Sequence, residues 1–281
     1  DGKGGVDIGL RPIEESSWLE IDHLFSEEIA LKEKLYLEKK DQVLVTSPNS
    51  QDIQKEVLNL ILGHLKNHHN DSYELKTDTI ESKRNNHLYY FDDFQDPLEL
   101  ASLLVQEDLI IMKPKENIFY LDSASLCAPT RWSLREKFQQ SLSELHQSVP
   151  GYKDKIDSRV NTIFTNLPDQ KIFERYNWSI FDSPELFQPI SNKSLVEIKN
   201  TKPEELFIRV ERQTIRRLHC SKAILFAVRV HVNPITAIIS NKKAIFDLIQ
   251  AIQNLEEDMK TYKVIKPFEE NLINWLKSKN E

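Results

Sequence analysis

Glycine is scarce in this sequence, and its scarcity limits the ligands that the chain can bind. Only six of the 281 residues are glycine, and beyond Gly9 there are only Gly63 and Gly151. Loops that cradle nucleotide phosphates need closely spaced glycines, as in the GxGxxG and GxxxxGK(S/T) patterns. Because neither pattern occurs, the chain lacks the common nucleotide-binding loops.

Cysteine is scarcer still, since Cys127 and Cys220 are the only two. Iron–sulfur clusters held by four thiolates, and zinc sites built from CxxC pairs, need more cysteines than this. Two cysteines so far apart do not indicate a disulfide framework, so a reducing compartment is predicted. Any iron–sulfur relay that serves this chain must therefore lie on another protein.

Long apolar runs are also missing. No run reaches the ~18–20 apolar residues that a membrane-spanning helix needs, and a net charge of −7 argues against a nucleic-acid binder. With 40% hydrophobic and 29% charged residues, the composition is typical of a soluble, intracellular globular protein. Because the chain opens on Asp1, an upstream targeting segment that has been removed is also considered.

The spacing of apolar residues predicts an α+β fold. Helical periodicity marks 26–43, 50–65, 98–105, 134–148 and 156–164, and the C-terminal helices 242–259 and 268–277. Strands are predicted at 109–112, 118–121 and 175–181, and the polar stretch 67–96 is predicted to be a long loop. We interpret 1–281 as one domain with an N-terminal helical cap (1–96), a sheet core (97–235) and C-terminal helices (236–281).

The most informative stretch is 206–232, where two runs of β-type residues flank the polar tetrapeptide 219–222. This pattern predicts an antiparallel hairpin of a sheet interior. Alternation places its polar residues on opposite faces, with Arg209, Glu211 and Gln213 on one and Arg212, Thr214 and Arg216 on the other. Counting back from the turn pairs Arg212 with Arg229. Facing arginines repel unless an anion lies between them, although solvent at one end of the hairpin would also explain the charges.

Three histidines are candidate metal ligands. His64 and His68 lie four residues apart on a predicted helix, but without a third ligand a solvated helix terminus is favoured. His146 lies on the edge of the apolar helix 134–148, where it would reach a haem iron in a pocket between helix and sheet. The alternative is a partly buried histidine whose ring bonds a carbonyl. No hydrolase motif is present.

Five segments in chain order resemble the α subunit of the haem-dependent oxidative N-demethylase family. The likeness runs from about Gly9 to Lys266. The segments are Gln106-Glu107-Asp108-Leu109, Ala128-Pro129-Thr130-Arg131-Trp132, Leu145-His146-x-x-Val149-Pro150-Gly151-Tyr152, Asn177-Trp178-Ser179 and Leu206-x-Ile208-Arg209-Val210-Glu211-Arg212-Gln213-Thr214-x-Arg216-Arg217-Leu218.

The resemblance implies a PAS-like antiparallel sheet that holds haem b against helices packed on one face. It implies His146 as the proximal iron ligand. The ERQT strand would supply the distal side, with Arg212 donating hydrogen bonds to dioxygen and Glu211 and Arg229 positioning the amine or its proton. Further haem contacts are expected from Arg131, Asn177, Trp178 and Arg209.

The function implied by the resemblance is a haem monooxygenase, an oxidative N-demethylase that uses O2 on a small amine such as dimethylamine. Its electrons would come from a separate flavin or iron–sulfur protein, since this chain has neither a nucleotide loop nor enough cysteines. A non-enzymatic haem protein, either a sensor or a haem carrier, is the alternative. A haem-free interaction domain is the third possibility.

Overall fold

A computed structural model describes residues 9–152, 157–190 and 198–280 of the chain. Within these ranges, ten strands form two antiparallel sheets, one of seven strands in the order β1-β8-β9-β10-β6-β7-β2 and one of three in the order β3-β4-β5. The strands are β1 (Arg11–Ile13), β2 (Leu44–Thr46), β3 (Tyr73–Leu75), β4 (Thr79–Ser82), β5 (His87–Tyr90), β6 (Asp108–Lys115), β7 (Ile118–Ser125), β8 (Ile172–Phe181), β9 (Phe207–Arg217) and β10 (Ile224–Pro234).

Helices cover both faces of the large sheet, and the α+β class is confirmed. They are α1 (Phe25–Val43), α2 (Gln51–His68), α3 (Pro97–Leu103), α4 (Leu134–Lys137), α5 (Leu142–Leu145), α6 (Asp157–Asn166), α7 (Lys242–Gln253), α8 (Glu257–Tyr262) and α9 (Glu269–Asn280). The predicted start of α6 at Ile156 lies outside the described residues. No helix in the described part of the chain is long and apolar enough to cross a membrane.

The central hairpin has the predicted register. Leu218 N donates to the Ala223 carbonyl at 2.8 Å, and the pairing continues without a shift to place Arg212 opposite Arg229. Lys222 closes the turn with a φ of 58°. Side-chain alternation along β9 and β10 is therefore unbroken, so sequence position alone assigns each side chain to a face.

The two faces of the large sheet bury different partners. One face, which we call the α1 face, packs Leu109, Ile111, Leu225 and Ala227 with α1, α2 and α3. The other, the α5 face, packs Ile110, Met112, Ile215 and Phe226 with α4, α5 and α6. A third apolar cluster joins α7 and α9 to the end of the sheet around Ile180 and Ile208.

Three of the predicted elements are wrong. The helix predicted over 242–259 is two helices, α7 and α8, because Glu256 is extended and starts a new helix. Residues 67–96 are not one long loop, because three short strands pair there and bury Tyr73, Ile80 and Tyr89; runs of three or four residues are too short to show periodicity. The helix predicted over 134–148 is two short helices. Gln139 has a φ of 63°, and its N–H bonds the Leu121 carbonyl of β7 at 3.1 Å, so this chain segment pairs with a strand instead of continuing the helix.

Candidate functional site

A polar cluster lies on the α5 face where β8 and β9 pair. Glu211 faces Asn177 across the two strands, and only 9% of Glu211 is exposed. One carboxylate oxygen accepts the Thr130 hydroxyl in a short hydrogen bond. The other accepts Gln213 Nε2 at 2.8 Å and Asn177 Nδ2 at 3.3 Å. Together with Lys263, these residues form what we call the Glu211 cluster.

Four separate parts of the chain build the Glu211 cluster. Strand alternation presents Glu211 and Gln213 on the same face, and Asn177 follows from strand pairing. Thr130 comes from the loop after β7, where an isolated bridge to Gln188 holds it. Lys263 comes from the end of α8. The cluster therefore depends on tertiary packing and not on a contiguous motif.

Lys263 joins the cluster along the edge of β8. Strand β1 pairs β8 only as far as Glu174, so the Trp178 carbonyl on that side needs another donor. Lys263 Nζ donates to this carbonyl at 2.6 Å and to Asn177 Oδ1 at 2.9 Å. Burial lowers the pKa of Lys263 to about 8, against the opposing effect of Glu211 and with a smaller contribution from Arg175.

Two arginines of the site have different surroundings. Arg209 is fully buried, and it donates to the carbonyls of Ala128 at 2.7 Å and Leu186 at 3.0 Å. It therefore holds two loops together. Arg131 stacks on Phe181 at 4.1 Å, and its buried Nη2 makes no hydrogen bond among the described residues; Asp182 lies 3.8 Å away. Arg131 thus offers a buried donor to a ligand oxygen in this site; on the α1 face the buried Nε atoms of Arg216 and Arg229 likewise make no hydrogen bond among the described residues.

His146 ends α5 on the same side of the sheet. Its Nδ1 donates to the Leu142 carbonyl at 2.9 Å, and its ring stacks on Tyr152 with centroids 4.5 Å apart. A ring bonded to a carbonyl is what the alternative without a metal predicts for this histidine. The same bond is the one that metal-ligating histidines commonly make, because it leaves the lone pair of a neutral ring on Nε2. The role of His146 as iron ligand stays a prediction.

The chemical groups of these residues are suited to binding a haem. An imidazole oriented through Nδ1 suits iron, and the unsatisfied Nη2 of Arg131 suits a propionate. The same face of the sheet carries partly buried apolar side chains, among them Trp132, Leu145 and Phe226. Among the described residues no three histidine, cysteine, aspartate or glutamate side chains converge as a metal site.

A protein-family profile matches this chain over residues 9–273. The family is described as "Haem-dependent oxidative N-demethylase, alpha subunit-like". The chain belongs to this family. The resemblance seen in the sequence is thereby confirmed, and the family description associates the chain with haem-dependent oxidative chemistry and with an assembly of subunits.

In this member of the N-demethylase-like family, Arg212 lies on the α1 face, away from α5. Its Nε donates to Glu174 at 2.7 Å, its Nη1 to the Trp18 carbonyl at 3.1 Å, and its Nη2 to the Ser17 carbonyl. All three nitrogens thus have protein partners. A direct contact between Arg212 and a ligand on the His146 side would require it to leave them, and its role at dioxygen stays a prediction.

Arg229, opposite Arg212, is also held by groups of this chain, through Nη1 and Nη2, whereas its buried Nε makes no hydrogen bond among the described residues. It is 1% exposed and contacts Asp22 at 2.8 Å and Glu28 at 2.7 Å. The anions that the facing arginines require are therefore carboxylates of this chain, and solvent does not separate them. A role for Arg229 at the amine stays a prediction as well.

The structure brings five of the predicted site residues together and adds three neighbours that were not predicted as site residues. Arg131, Asn177, Trp178, Arg209 and Glu211 meet around one site. The missed members are Thr130, Gln213 and Lys263. The first two stand inside motifs already noticed, whereas nothing near Lys263 signals its position.

The solvated helix terminus expected for His64 is wrong. Its side chain is 0% exposed and packs edge-on against Trp18, with ring centroids 5.1 Å apart. The polar run KNHHND at the end of α2 gives no sign that His64 is buried, because its partner Trp18 comes from a distant part of the chain.

Proposed function

We propose that this chain is the haem-binding subunit of an oxidative N-demethylase that uses O2 to remove a methyl group from a small amine. The main support is the Glu211 cluster, a buried carboxylate on the same sheet face as the His146 helix. A carboxylate surrounded by neutral donors is suited to bind an ammonium or amine N–H. Family membership supports the haem and the reaction class.

His146 and Arg131 would hold the cofactor. His146 would present Nε2 to the iron while Leu142 fixes the ring orientation. Arg131 would offer Nη2 to a propionate, and its stacking on Phe181 keeps the guanidinium plane in place. Haem b, when bound, supplies the oxygen chemistry.

The protein's own part in the reaction is to bind, orient and supply protons. Glu211 would accept a hydrogen bond from the amine nitrogen, and Thr130, Gln213 and Asn177 fix its carboxylate. Fixing two reactants in this way removes much of the entropic barrier. For a tertiary or secondary methylamine the balance is one amine, one O2, two electrons and two protons, giving the shorter amine, formaldehyde and one water.

The two electrons must come from another protein. The chain has two cysteines and no nucleotide loop, so we propose a separate flavin or iron–sulfur donor. The subunit wording of the family description is in keeping with such an assembly.

The absorption spectrum of purified protein, followed by turnover, tests the proposal. We expect a Soret band that His146→Ala abolishes or strongly weakens while circular dichroism shows a folded protein. Dimethylamine, O2 and a reductant should then yield formaldehyde with the wild type only. A Soret band without formaldehyde would favour a haem sensor or carrier, and no Soret band after haem reconstitution would reject both. Loss of the band in His219→Ala or His231→Ala instead would move the iron ligand.

A further inference from the structure

We propose that Lys263 is the positioning residue of the Glu211 cluster: its ammonium group fixes the Asn177 amide so that Nδ2 faces Glu211. Removal of one proton from Lys263 would weaken the preference for that orientation. The inference deepens the proposed function, because it concerns the same site. It also makes the end of α8, far from the ERQT strand in sequence, part of that site.

The argument begins with the hydrogen-bonding capacity of the two groups. An ammonium group has only donors, and an amide has one acceptor atom and one donor atom. Lys263 Nζ lies 2.9 Å from Asn177 Oδ1, and Asn177 Nδ2 lies 3.3 Å from a Glu211 oxygen. A flipped amide would direct its NH2 at the ammonium and its oxygen at the carboxylate. Both contacts would then be repulsive, so charged Lys263 permits one orientation only.

A neutral Lys263 amine removes the first of these two repulsions, so that only the contact between Glu211 and the amide oxygen still opposes the flip. It gains a lone pair, so Asn177 Nδ2 can donate to it after a flip, and the charge-assisted bond to Oδ1 is lost. The Glu211 oxygen would then lose one of its donors. Protonation of Lys263 is thereby coupled to the number of hydrogen bonds that Glu211 receives.

The surroundings of Lys263 allow the loss of its proton near neutral pH. Its two acceptors, Asn177 Oδ1 and the Trp178 carbonyl, are both neutral, and no carboxylate within the described residues lies in ion-pair distance. Among the described residues, Glu211 on β9 and Arg175 on β8 act on its charge. Arg131, in the loop after β7, donates from Nη1 to the Lys263 carbonyl at 3.4 Å, and Tyr262 is the preceding residue. Burial, opposed by Glu211 and assisted by Arg175, lowers the pKa of Lys263 to about 8.

Competitive labelling of the purified protein tests the first half of the inference. Trace acetic anhydride is added across pH 6.5–10.5, and acetylation of the Lys263 peptide is quantified by mass spectrometry. We expect a midpoint near 8 for Lys263, against the ~10.4 of an ordinary lysine. An ordinary midpoint would overturn the inference.

NMR of the Asn177 side-chain amide tests the second half. Its signals, assigned by their absence in Asn177→Ser, should move through the same midpoint in the wild type. In Lys263→Arg, which keeps a charge and has donors only, they should stay fixed over pH 7–9.5. In Lys263→Met they should be independent of pH and shifted from the wild-type position. Amide signals that stay still while Lys263 titrates would overturn the inference.

Both measurements use the full chain without substrate or turnover. Failure of the demethylase proposal would leave them unaffected, and their failure would leave the haem spectrum unaffected. If demethylation is found, Lys263→Met should raise the KM for dimethylamine by roughly 10-fold, the loss of one hydrogen bond to a charged group, with unchanged haem content. Lys263→Arg should restore the KM and remove its pH dependence near 8.

Discussion

The two faces of strand β9 both carry buried charged side chains, but the hydrogen-bond partners of these side chains differ. On the α1 face, Arg212 uses all three guanidinium nitrogens on partners from β8 and the N-terminal segment. On the α5 face, Glu211 receives three neutral donors and no arginine. A network of opposite charges in direct contact mainly specifies structure, whereas a carboxylate whose hydrogen-bond donors are all neutral retains a charge for a ligand to use.

The N-terminal segment 11–22 explains much of this difference. It lies along the α1 face and supplies an anion or a carbonyl to each arginine there. Glu15 contacts Arg216 at 2.9 Å, and Asp22 contacts Arg229 at 2.8 Å. Glu20 contacts His231 at 2.9 Å, and the hydrogen bond from His231 lowers the pKa of Glu20, against the effect of burial and with further help from Arg212. Glu211, on the other face, has no oppositely charged hydrogen-bond partner among the described residues.

Removing Arg229 should be the most damaging change to the α1 face. Arg229→Met keeps most of the apolar volume but leaves Asp22 and Glu28 without their cation. Breaking a buried ion pair from one side costs about 3–5 kcal/mol. Urea unfolding followed by circular dichroism should show that loss, and Lys243→Met on the exposed surface of α7 is the matched control. A loss below about 1 kcal/mol would mean that water screens this network.

Paired substitutions on opposite faces of β9 sharpen the comparison. Arg212→Lys loses the planar fork, so we expect about 1–3 kcal/mol lower stability with formaldehyde production per haem unchanged. Glu211→Gln keeps the shape of the side chain, so we expect stability within about 1 kcal/mol and kcat/KM for dimethylamine roughly 10–100-fold lower.

The reverse pattern would restore the assignment of Arg212 to dioxygen. In that case Arg212→Lys would lower turnover by roughly 10²–10³-fold, and Glu211 would be a structural residue. Loss of haem in Arg212→Lys would instead link the α1 face to cofactor binding. Haem content, turnover and unfolding free energy, measured on the same preparations, separate these outcomes.

The sequence predicted what depends on neighbouring positions. The turn at 219–222 and strict alternation were enough to pair Arg212 with Arg229 and to separate Arg212 from Glu211 by face. They could not say which face meets His146, because that depends on how α5 packs against β7. The position of Lys263 could not be predicted for the same reason, because a single lysine after α8 belongs to no local sequence pattern. Gln139 escaped notice since a left-handed residue inside an apolar helical pattern breaks the helix without a glycine or proline.

Acid titration of the α1 face should give the smallest effect. Burial alone would raise the pKa of Asp22, but hydrogen bonds from Gln106, Leu24 and Arg229 outweigh it and hold the pKa at about 2. An unfolded aspartate has a pKa of ~3.9. Because the folded value is the lower one, the unfolded state binds more protons between these values. The stabilisation from ionised Asp22 is therefore complete above about pH 4 and is lost as the pH falls towards 2.

Asp22→Asn should remove this pH dependence. We expect the free energy of unfolding of wild type and variant to differ by about 1–2 kcal/mol at pH 5 and to converge near pH 2. Urea unfolding at a series of pH values measures the two curves, with Asp92→Asn on the exposed surface as the matched charge control. Curves that stay parallel from pH 5 to pH 2 would show that Asp22 contributes through its shape and hydrogen bonds alone. The carboxylates of segment 11–22 would then not be the anions that allow two arginines to face each other on β9 and β10.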